Sequence, residues 1–287
     1  MRKSLLLILV LALLMTACAS DKTVPHKKLT TTYLTIRNLF VSTKGLTIKE
    51  FAYGVHLKQN ATYYIKDNIR EEPLEVIVFI HGGGWQGGDK GIWHKHSIEL
   101  ARSFNFKIYN INYRLGSIEN AVADSRYFIN NLKQSGKKII VIGFSAGAHI
   151  ALYLAEKNLI DGAIAYAPPT DLTGSNSTVF LDNFLKKGGL DPLEAKKYSP
   201  LYMSMRADSD SKVPIYLIYS TQDHFVSYFQ AMNYYLTKQN KVDITLKQAR
   251  GEHGFQFNMR RKQNKNIWEF GVKPFIRKIF EIPPLMK

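Results

Sequence analysis

The sequence predicts an α/β protein with a mainly parallel central sheet and helices on both of its faces. From residue 75 onward, short strand-like runs alternate with helical stretches, and such alternation is typical of βαβ units. The run EVIVFI (75–80) is continuously apolar, as expected of a strand buried on both faces. Glycine clusters directly follow two of the predicted strands, which indicates tight loops where those strands end.

The elements follow in order along the chain. Stretches rich in Thr, Tyr and Ile between residues 31 and 65 (TTYLTIRNLF, LTIKEFAYGV, ATYYIK) predict an antiparallel hairpin or meander. We predict later strands at 75–80, 106–114, 137–144, 161–169, 214–223 and 241–250, and helices at 92–104, 118–136, 145–158, 227–240 and 264–280.

Residues 171–212 interrupt this alternation. They are rich in Asp, Ser, Gly, Lys and Pro, with one weakly helical piece, VFLDNFLKK (179–187). An insertion of this length in a compact domain is usually functional or mobile. We therefore expect it to form a small cap over the carboxyl ends of the strands.

The N terminus has the pattern of a secretory signal peptide over residues 1–17. Arg2 and Lys3 precede an apolar run that is too short to span a bilayer comfortably, and small residues follow it. The stretch LMTAC, which ends at Cys18, resembles a bacterial lipobox; the resemblance implies lipid attachment to Cys18 and an exported protein anchored in the outer membrane, facing the periplasm. Residues 18–30 would form a tether and residues 31–287 the main domain. The alternative is an ordinary cleaved signal with an incidental cysteine.

The charge balance is strongly basic, with 39 Lys and Arg against 23 Asp and Glu and a net charge of +16. The positive residues are scattered, and no Arg-rich tract or basic and aromatic interleaving indicates a nucleic-acid-binding face. The basic surface is either simply solvated or attracted to an anionic membrane surface.

The segment GFSAG (143–147) fits the G-x-S-x-G pattern around Ser145. The pattern alone is weak, but here it lies between a predicted strand and a predicted helix, the context of a nucleophilic serine on a tight turn. Attack by a serine on a carbonyl creates an oxyanion that needs fixed donors. The glycines of HGGGW (81–85) would let backbone N–H groups serve as those donors.

Together, HGGGWQGGDK and GFSAGAH resemble the α/β-hydrolase superfamily, over about residues 50–280. The closest resemblance is to esterases with an HGGG or HGGxW motif, in the feruloyl-esterase-like, arylformamidase-like and hormone-sensitive-lipase-like branches. It implies an α/β-hydrolase fold, an oxyanion hole formed by Gly83, Gly84 and the N–H of Ala146, and a structural role for His81.

In this fold the acid and the histidine follow the serine along the chain. His253, in the glycine-flanked loop ARGEHGF after a late strand, is the candidate base. Asp223, at the end of PIYLIYSTQD, is the candidate acid; its surroundings resemble a G-x-x-D-x-x-V loop with Ser220 in place of glycine. His149 is expected to have a packing role, one helical turn after Ser145.

These residues predict a serine hydrolase of carboxylic esters, short-chain or soluble ones because the cap is small. The substrate would be a small-molecule ester, and no metal or organic cofactor is implied. Arylformamidase and carbohydrate deacetylase remain alternatives, because the motifs do not encode the acyl or leaving group. A non-catalytic binding protein on the same scaffold is the alternative from another class, and the oligomeric state is left open.

Overall fold

The computed structural model describes residues 41–283 except 176, 189 and 258. The predicted signal peptide, Cys18, the tether and the stretch TTYLTIRNLF lie outside the described residues. All described helices and strands belong to a unit that runs from Thr43 to the C terminus.

One eight-stranded sheet organises this unit. In chain order its strands are β1 (Leu46–Ala52), β2 (Asn60–Lys66), β3 (Glu75–Ile80), β4 (Lys107–Ile111), β5 (Lys138–Phe144), β6 (Gly162–Tyr166), β7 (Ile215–Tyr219) and β8 (Ile244–Gln248). The spatial order is β1-β2-β4-β3-β5-β6-β7-β8. β2 pairs antiparallel with β1 and with β4, and every pairing from β4 to β8 is parallel. The predicted hairpin and mainly parallel sheet are confirmed.

The described part of the chain contains nine α-helices, of which seven lie between strands and two follow β8. They are α1 (His94–Ser103), α2 (Ile118–Gln134), α3 (Ala146–Glu156), α4 (Val179–Lys187), α5 (Pro192–Tyr198), α6 (Pro200–Met205), α7 (Tyr228–Lys238), α8 (Lys262–Ile267) and α9 (Lys273–Ile279). Short 3₁₀ turns occupy Lys90–Trp93 and Phe255–Phe257. Over residues 41–283, apart from the three gaps, we find no helix with the length and apolar character needed to cross a membrane.

The last predicted helix is not α-helical throughout. A π-helical segment, Trp268–Val272, separates α8 from α9. Pro274 explains the wider turn, because proline has no N–H to donate to the carbonyl four residues earlier and its ring clashes with that carbonyl. The helix predicted over 264–280 is present, continuous through this segment, but its π-helical turn was not predicted.

Helix α3 is the centre of the core. All eleven of its residues are buried, and it packs against β3, β5 and β6 on one side and α2 and α6 on the other. A helix that is apolar all round is expected only where neighbours cover every face. The serine turn that precedes α3 is therefore fixed to the most buried element of the fold.

A buried ion pair joins α3 to α7. Lys238 Nζ lies 3.0 Å from Glu156 Oε1, and each side chain is 1% exposed. Tyr234 also donates its hydroxyl to Glu156, and burial, with the neighbouring Glu156 carboxylate, raises the pKa of Tyr234 well above its ordinary value. Lys238 and Glu156 are therefore two opposite charges in the protein interior, and each compensates the other.

We predict that Lys238→Met destabilises the protein by about 3–5 kcal/mol, because Glu156 is left as a buried charge without its cation. Restoring neutrality with the double variant Glu156→Gln/Lys238→Met should recover much of the loss. The measurement is urea-induced unfolding. The control is Lys157→Met, at an exposed position, and an equal effect of Lys157→Met and Lys238→Met would contradict the prediction.

Candidate active site

Ser145 lies in a strained turn between β5 and α3. Its φ is 53° and its ψ is −119°, a conformation that costs a non-glycine residue free energy and that clusters at functional sites. The turn is held from both sides: the Ser145 N–H donates to the Tyr166 carbonyl at 2.9 Å, and the Ser145 carbonyl accepts from the His149 N–H at 3.0 Å. This is the strand-to-helix turn that the sequence predicts.

The glycine at 147 allows the start of α3 to touch the end of β3. A Cβ built on Gly147 would overlap the carbonyl oxygen of Ile80. A Cβ on Gly82, just after β3, would lie 3.0 Å from the Ser145 Cβ. The loop after β3 is therefore packed directly against the serine turn.

The loop after β3 presents backbone N–H groups that can donate hydrogen bonds. Gly83, with φ 123°, directs its carbonyl into a tight turn, where it accepts from the N–H groups of Gln86 (3.1 Å) and Gly87 (3.0 Å). The N–H groups of Gly83, Gly84 and Ala146 have no hydrogen-bond partner among the described residues. All three belong to backbone adjoining Ser145, and the Ala146 N–H also lies at the N-terminus of α3, where the helix dipole favours negative charge.

Asp223 and His253 form a hydrogen-bonded pair. His253 Nδ1 donates to Asp223 Oδ2 at 2.7 Å, and the side chains are 16% and 1% exposed respectively. The other carboxylate oxygen, Oδ1, accepts from the N–H groups of Phe225 and Val226, both at 2.9 Å. The carboxylate is thus fixed at both oxygens. Because Nδ1 of His253 carries the hydrogen that it donates to Asp223, Nε2 is the ring nitrogen that can accept a proton.

Two further bonds tie the loop that carries Asp223 to the loop that carries His253. Ser220 Oγ donates to the Gly251 carbonyl at 2.5 Å, and Gly251 N–H donates to Gln222 Oε1 at 2.8 Å. Ser220, at the glycine position of the G-x-x-D-x-x-V pattern, therefore makes a contact that glycine could not.

Aromatic rings place His253 beside the serine turn. The Phe144 ring, one residue before Ser145, lies 4.6 Å from the His253 ring, and the Phe225 ring stacks on His253 at 5.1 Å. Within the described residues, neither Ser145 Oγ nor His253 Nε2 has a hydrogen-bond partner. Catalytic hydrogen bonds of this kind are often long and tighten only when substrate binds.

Helix α4 contacts both the loop after β3, which contains the glycines, and the loop after β7, which carries Asp223 and Phe225. At its N-terminus, Thr178 Oγ1 donates to the Phe225 carbonyl at 2.5 Å and the Phe180 ring stacks on Phe225 at 4.6 Å. Towards its C-terminus, the Phe184 ring lies where a Cβ of Gly84 would be. Within the segment 171–212, α4 touches the loops after β3 and β7, whereas α6 packs on α3 and α7.

Two other histidines near the site are structural. His81 donates from Nδ1 to the Gly82 carbonyl at 2.7 Å, and its ring stacks on Tyr113 at 4.3 Å. His149 donates from Nε2 to the Tyr198 carbonyl at 2.9 Å, and the edge of its ring meets the ring of Trp85. Burial lowers the pKa of His81 and of His149 to about 4.

Asp89, in the last part of HGGGWQGGDK, braces the far end of the loop. Its carboxylate accepts from the Gly91 N–H (2.8 Å) and from Asn112 Nδ2 (2.9 Å). Burial alone would raise the pKa of Asp89, but these hydrogen bonds and the Lys90 charge lower it. Asp89 therefore anchors the loop after β3.

Sequence reasoning missed the aromatic residues of the site. Phe144, Phe180, Phe184 and Phe225 contact the serine turn, the histidine or the glycine loop. Their positions in the sequence could have indicated two of them: Phe144 is the first variable residue of G-x-S-x-G, and Phe225 is two residues after Asp223.

The two buried histidines predict that stability decreases below about pH 6.5. There the unfolded chain protonates both rings, whereas the folded protein keeps them neutral until about pH 4. Since the unfolded state binds more protons, the free energy of unfolding should fall by up to about 1.4 kcal/mol per pH unit for each ring and level off below about pH 4.

Urea-induced unfolding between pH 7 and pH 4.5 measures this slope. His149→Gln should reduce the slope by roughly one proton's contribution, whereas the control His56→Gln, at an exposed position, should leave it as it is. Identical slopes in the two variants would show that His149 does not carry the effect.

Comparisons with known proteins agree with this architecture. The profile of the BD-FAE family matches residues 63–237, which is more than half of the chain. No curated protein matches the sequence. Among solved structures, esterase B from Lactobacillus rhamnosis superposes with a TM-score of 0.72 at 16% identity, covering 88% of this chain and 94% of that one.

Two other structures are similar. A bacterial heroin esterase has a TM-score of 0.70 at 19% identity and covers 88% of this chain and 90% of its own. Esterase Est2 from Thermogutta terrifontis has a TM-score of 0.66 at 19% identity, with coverages of 86% and 96%. The profile match and the shared architecture lead to one conclusion: this chain is a member of the BD-FAE family with an α/β-hydrolase fold.

Proposed function

We propose that this protein is a serine hydrolase that cleaves carboxylic esters. In this proposal Ser145 is the nucleophile, His253 the general base and Asp223 the residue that orients the histidine. The observation that carries it is the 2.7 Å bond between His253 and Asp223, packed through Phe144 against the strained Ser145 turn. The similar structures named as esterases support the same reaction class.

The tautomer of His253 determines the direction of proton transfer. Because Nδ1 carries the hydrogen donated to Asp223, Nε2 has the free lone pair and can take the proton of the Ser145 hydroxyl as it attacks the ester carbonyl. The same nitrogen then gives that proton to the departing alcohol oxygen. A water molecule, deprotonated in turn by His253, releases the acid and regenerates Ser145.

Backbone donors would stabilise the negative charge of the tetrahedral intermediate. The N–H groups of Gly83, Gly84 and Ala146 lack other partners among the described residues and adjoin the nucleophile on two sides. Loss of one such donor typically costs about 3–4 kcal/mol of transition-state stabilisation. Because they belong to a braced turn and a helix terminus, no side chain has to be ordered when the charge develops.

The cap favours short or soluble esters. α4 is nine residues long, and Phe180 and Phe225 remain about half exposed beside the histidine. A site covered by one short helix has little buried apolar surface for a long acyl chain. Formamides and acetylated sugars pass through the same intermediate, so they are tested as alternative substrates.

Hydrolysis of p-nitrophenyl esters from acetate to palmitate tests this function. We expect kcat/KM to be highest for the short chains, and Ser145→Ala to remove the activity because no other group replaces the nucleophile. Ser103→Ala, at an exposed position, is the control.

A fluorophosphonate probe completes that experiment, because it labels only an activated serine. Labelling of the wild type and the control but not of Ser145→Ala supports the proposal. Activity on aryl formamides or acetylated sugars without ester hydrolysis would reassign the reaction. An unlabelled wild type would favour a non-catalytic scaffold.

We also propose that the protein is exported and lipid-anchored through Cys18. The support is the signal-like N terminus and the LMTAC stretch. Cys18→Ser should move the protein from the membrane fraction to the soluble fraction, measured by fractionation of cells that express each form. Unchanged membrane association of Cys18→Ser would contradict the anchor.

A further inference from the structure

His253 borders a basic pocket, whose other lining residues have no catalytic role in the proposed reaction. Its volume is about 650 Å³, and its lining includes Gln222, His224, Arg250, Glu252, His253 and Arg261. Arg250 and Arg261 are exposed, and neither guanidinium has an ion-pair or hydrogen-bond partner within the described part of the chain. The pocket thus combines a proposed catalytic group with two uncompensated cations.

One buried asparagine fixes the backbone of Arg250. Asn264 accepts from the Arg250 N–H at 3.2 Å and donates to the Arg250 carbonyl at 3.0 Å and to the Phe255 carbonyl at 2.9 Å. Asn264 lies in the first turn of α8, directly after Arg261. The Arg250 backbone is therefore fixed against α8, the helix that begins directly after Arg261, and less entropy is lost when Arg250 binds a ligand.

Arg261 lies against the backbone of Gly251. Gly251 has φ 123°, and a Cβ built there would lie 3.7 Å from Arg261 Nη1. The Gly251 backbone is fixed by Ser220 and Gln222, from the loop that carries Asp223. Arg261 thus lies over the loop that leads to His253.

The charge around the pocket is net positive. Glu252 is the one carboxylate among the lining residues, against two arginines, and no ion pair joins it to either arginine in the described structure. Arg260 and Lys262 flank Arg261 in the sequence. The guanidinium fork matches a carboxylate with two parallel hydrogen bonds, so a carboxylate is the ligand best suited to this pocket.

The position of His253 assigns the pocket to one side of the ester. In the proposed mechanism, His253 gives its proton to the oxygen of the departing alcohol. The part of the substrate nearest His253 is then the alcohol. His253 also lines the pocket, so a group on the alcohol that extended past His253 would meet the arginines.

We propose that Arg250 and Arg261 bind a carboxylate on the alcohol part of the substrate, so that the preferred substrates are esters of hydroxy acids. This inference rests on the proposed ester hydrolysis and specifies its substrate class. The hydrolysis itself is unchanged: water is consumed, and an acid and an anionic alcohol are released.

The test compares 4-acetoxybenzoate with 4-acetoxybenzamide, which share the acetyl group and the ring and differ in a carboxylate or a neutral amide. The readout is the ratio of kcat/KM for the two substrates, from the release of the phenols. We expect Arg250→Gln and Arg261→Gln each to lower this ratio by about fivefold, the upper range for an exposed charge pair. Glu252→Gln should raise it. Because both substrates are measured with the same preparation, a general loss of active protein does not change this ratio.

Arg126→Gln on α2, also exposed, is the control, because it removes the same charge away from the pocket. If Arg126→Gln lowers the kcat/KM ratio equally, the preference comes from the overall electrostatic field of the protein, and the proposed carboxylate site is wrong. Ratios unchanged in Arg250→Gln and Arg261→Gln would overturn it too, as would failure to cleave 4-acetoxybenzoate when p-nitrophenyl acetate is cleaved. If no ester at all is cleaved, the proposed function fails and this inference fails with it.

Discussion

The close approach of two backbones, where α3 begins and β3 ends, is the constraint on which the site depends. Gly147 meets the Ile80 carbonyl at a distance that no side chain would permit. This contact sets the loop after β3 against the Ser145 turn, so one packing interaction positions both the proposed nucleophile and its backbone donors. Because α3 is buried on every face, the turn cannot relax without disturbing the core, and the strain at Ser145 can persist.

The environment of each histidine separates structural roles from the proposed catalytic one. His81 and His149 are buried and bonded to backbone carbonyls, and burial keeps their pKa values low. His253 is instead partly exposed and bonded to a carboxylate. Only a ring with an accessible nitrogen and a fixed tautomer can pass a proton between a serine and a leaving group.

The sequence was most informative where a motif is contiguous. G-x-S-x-G placed Ser145 correctly at a strand-to-helix turn, because the chemistry and the glycines that permit it lie within five residues. Strand ends were less well predicted: 214–223 reads as one strand, yet β7 ends at Tyr219. Residues 220–223 turn away because Ser220 and Gln222 bond Gly251, about 30 residues later, and no local pattern encodes such partners.

The long-range contacts also give the site two unlike sides. α4 bridges the glycine loop and Phe225, and so places aromatic rings over one side of His253. The two arginines line the opposite, pocket side, where Asn264 holds the backbone of Arg250. In the proposed mechanism, the acyl part and the alcohol part of the ester must lie on opposite sides of Ser145. A wall of aromatic rings and a basic opening would orient them by polarity, because an anionic alcohol loses less by remaining hydrated near the arginines than by entering the aromatic side. The substrate class would then be determined by residues outside both catalytic motifs, which explains why those motifs predict the reaction type but leave the substrate open.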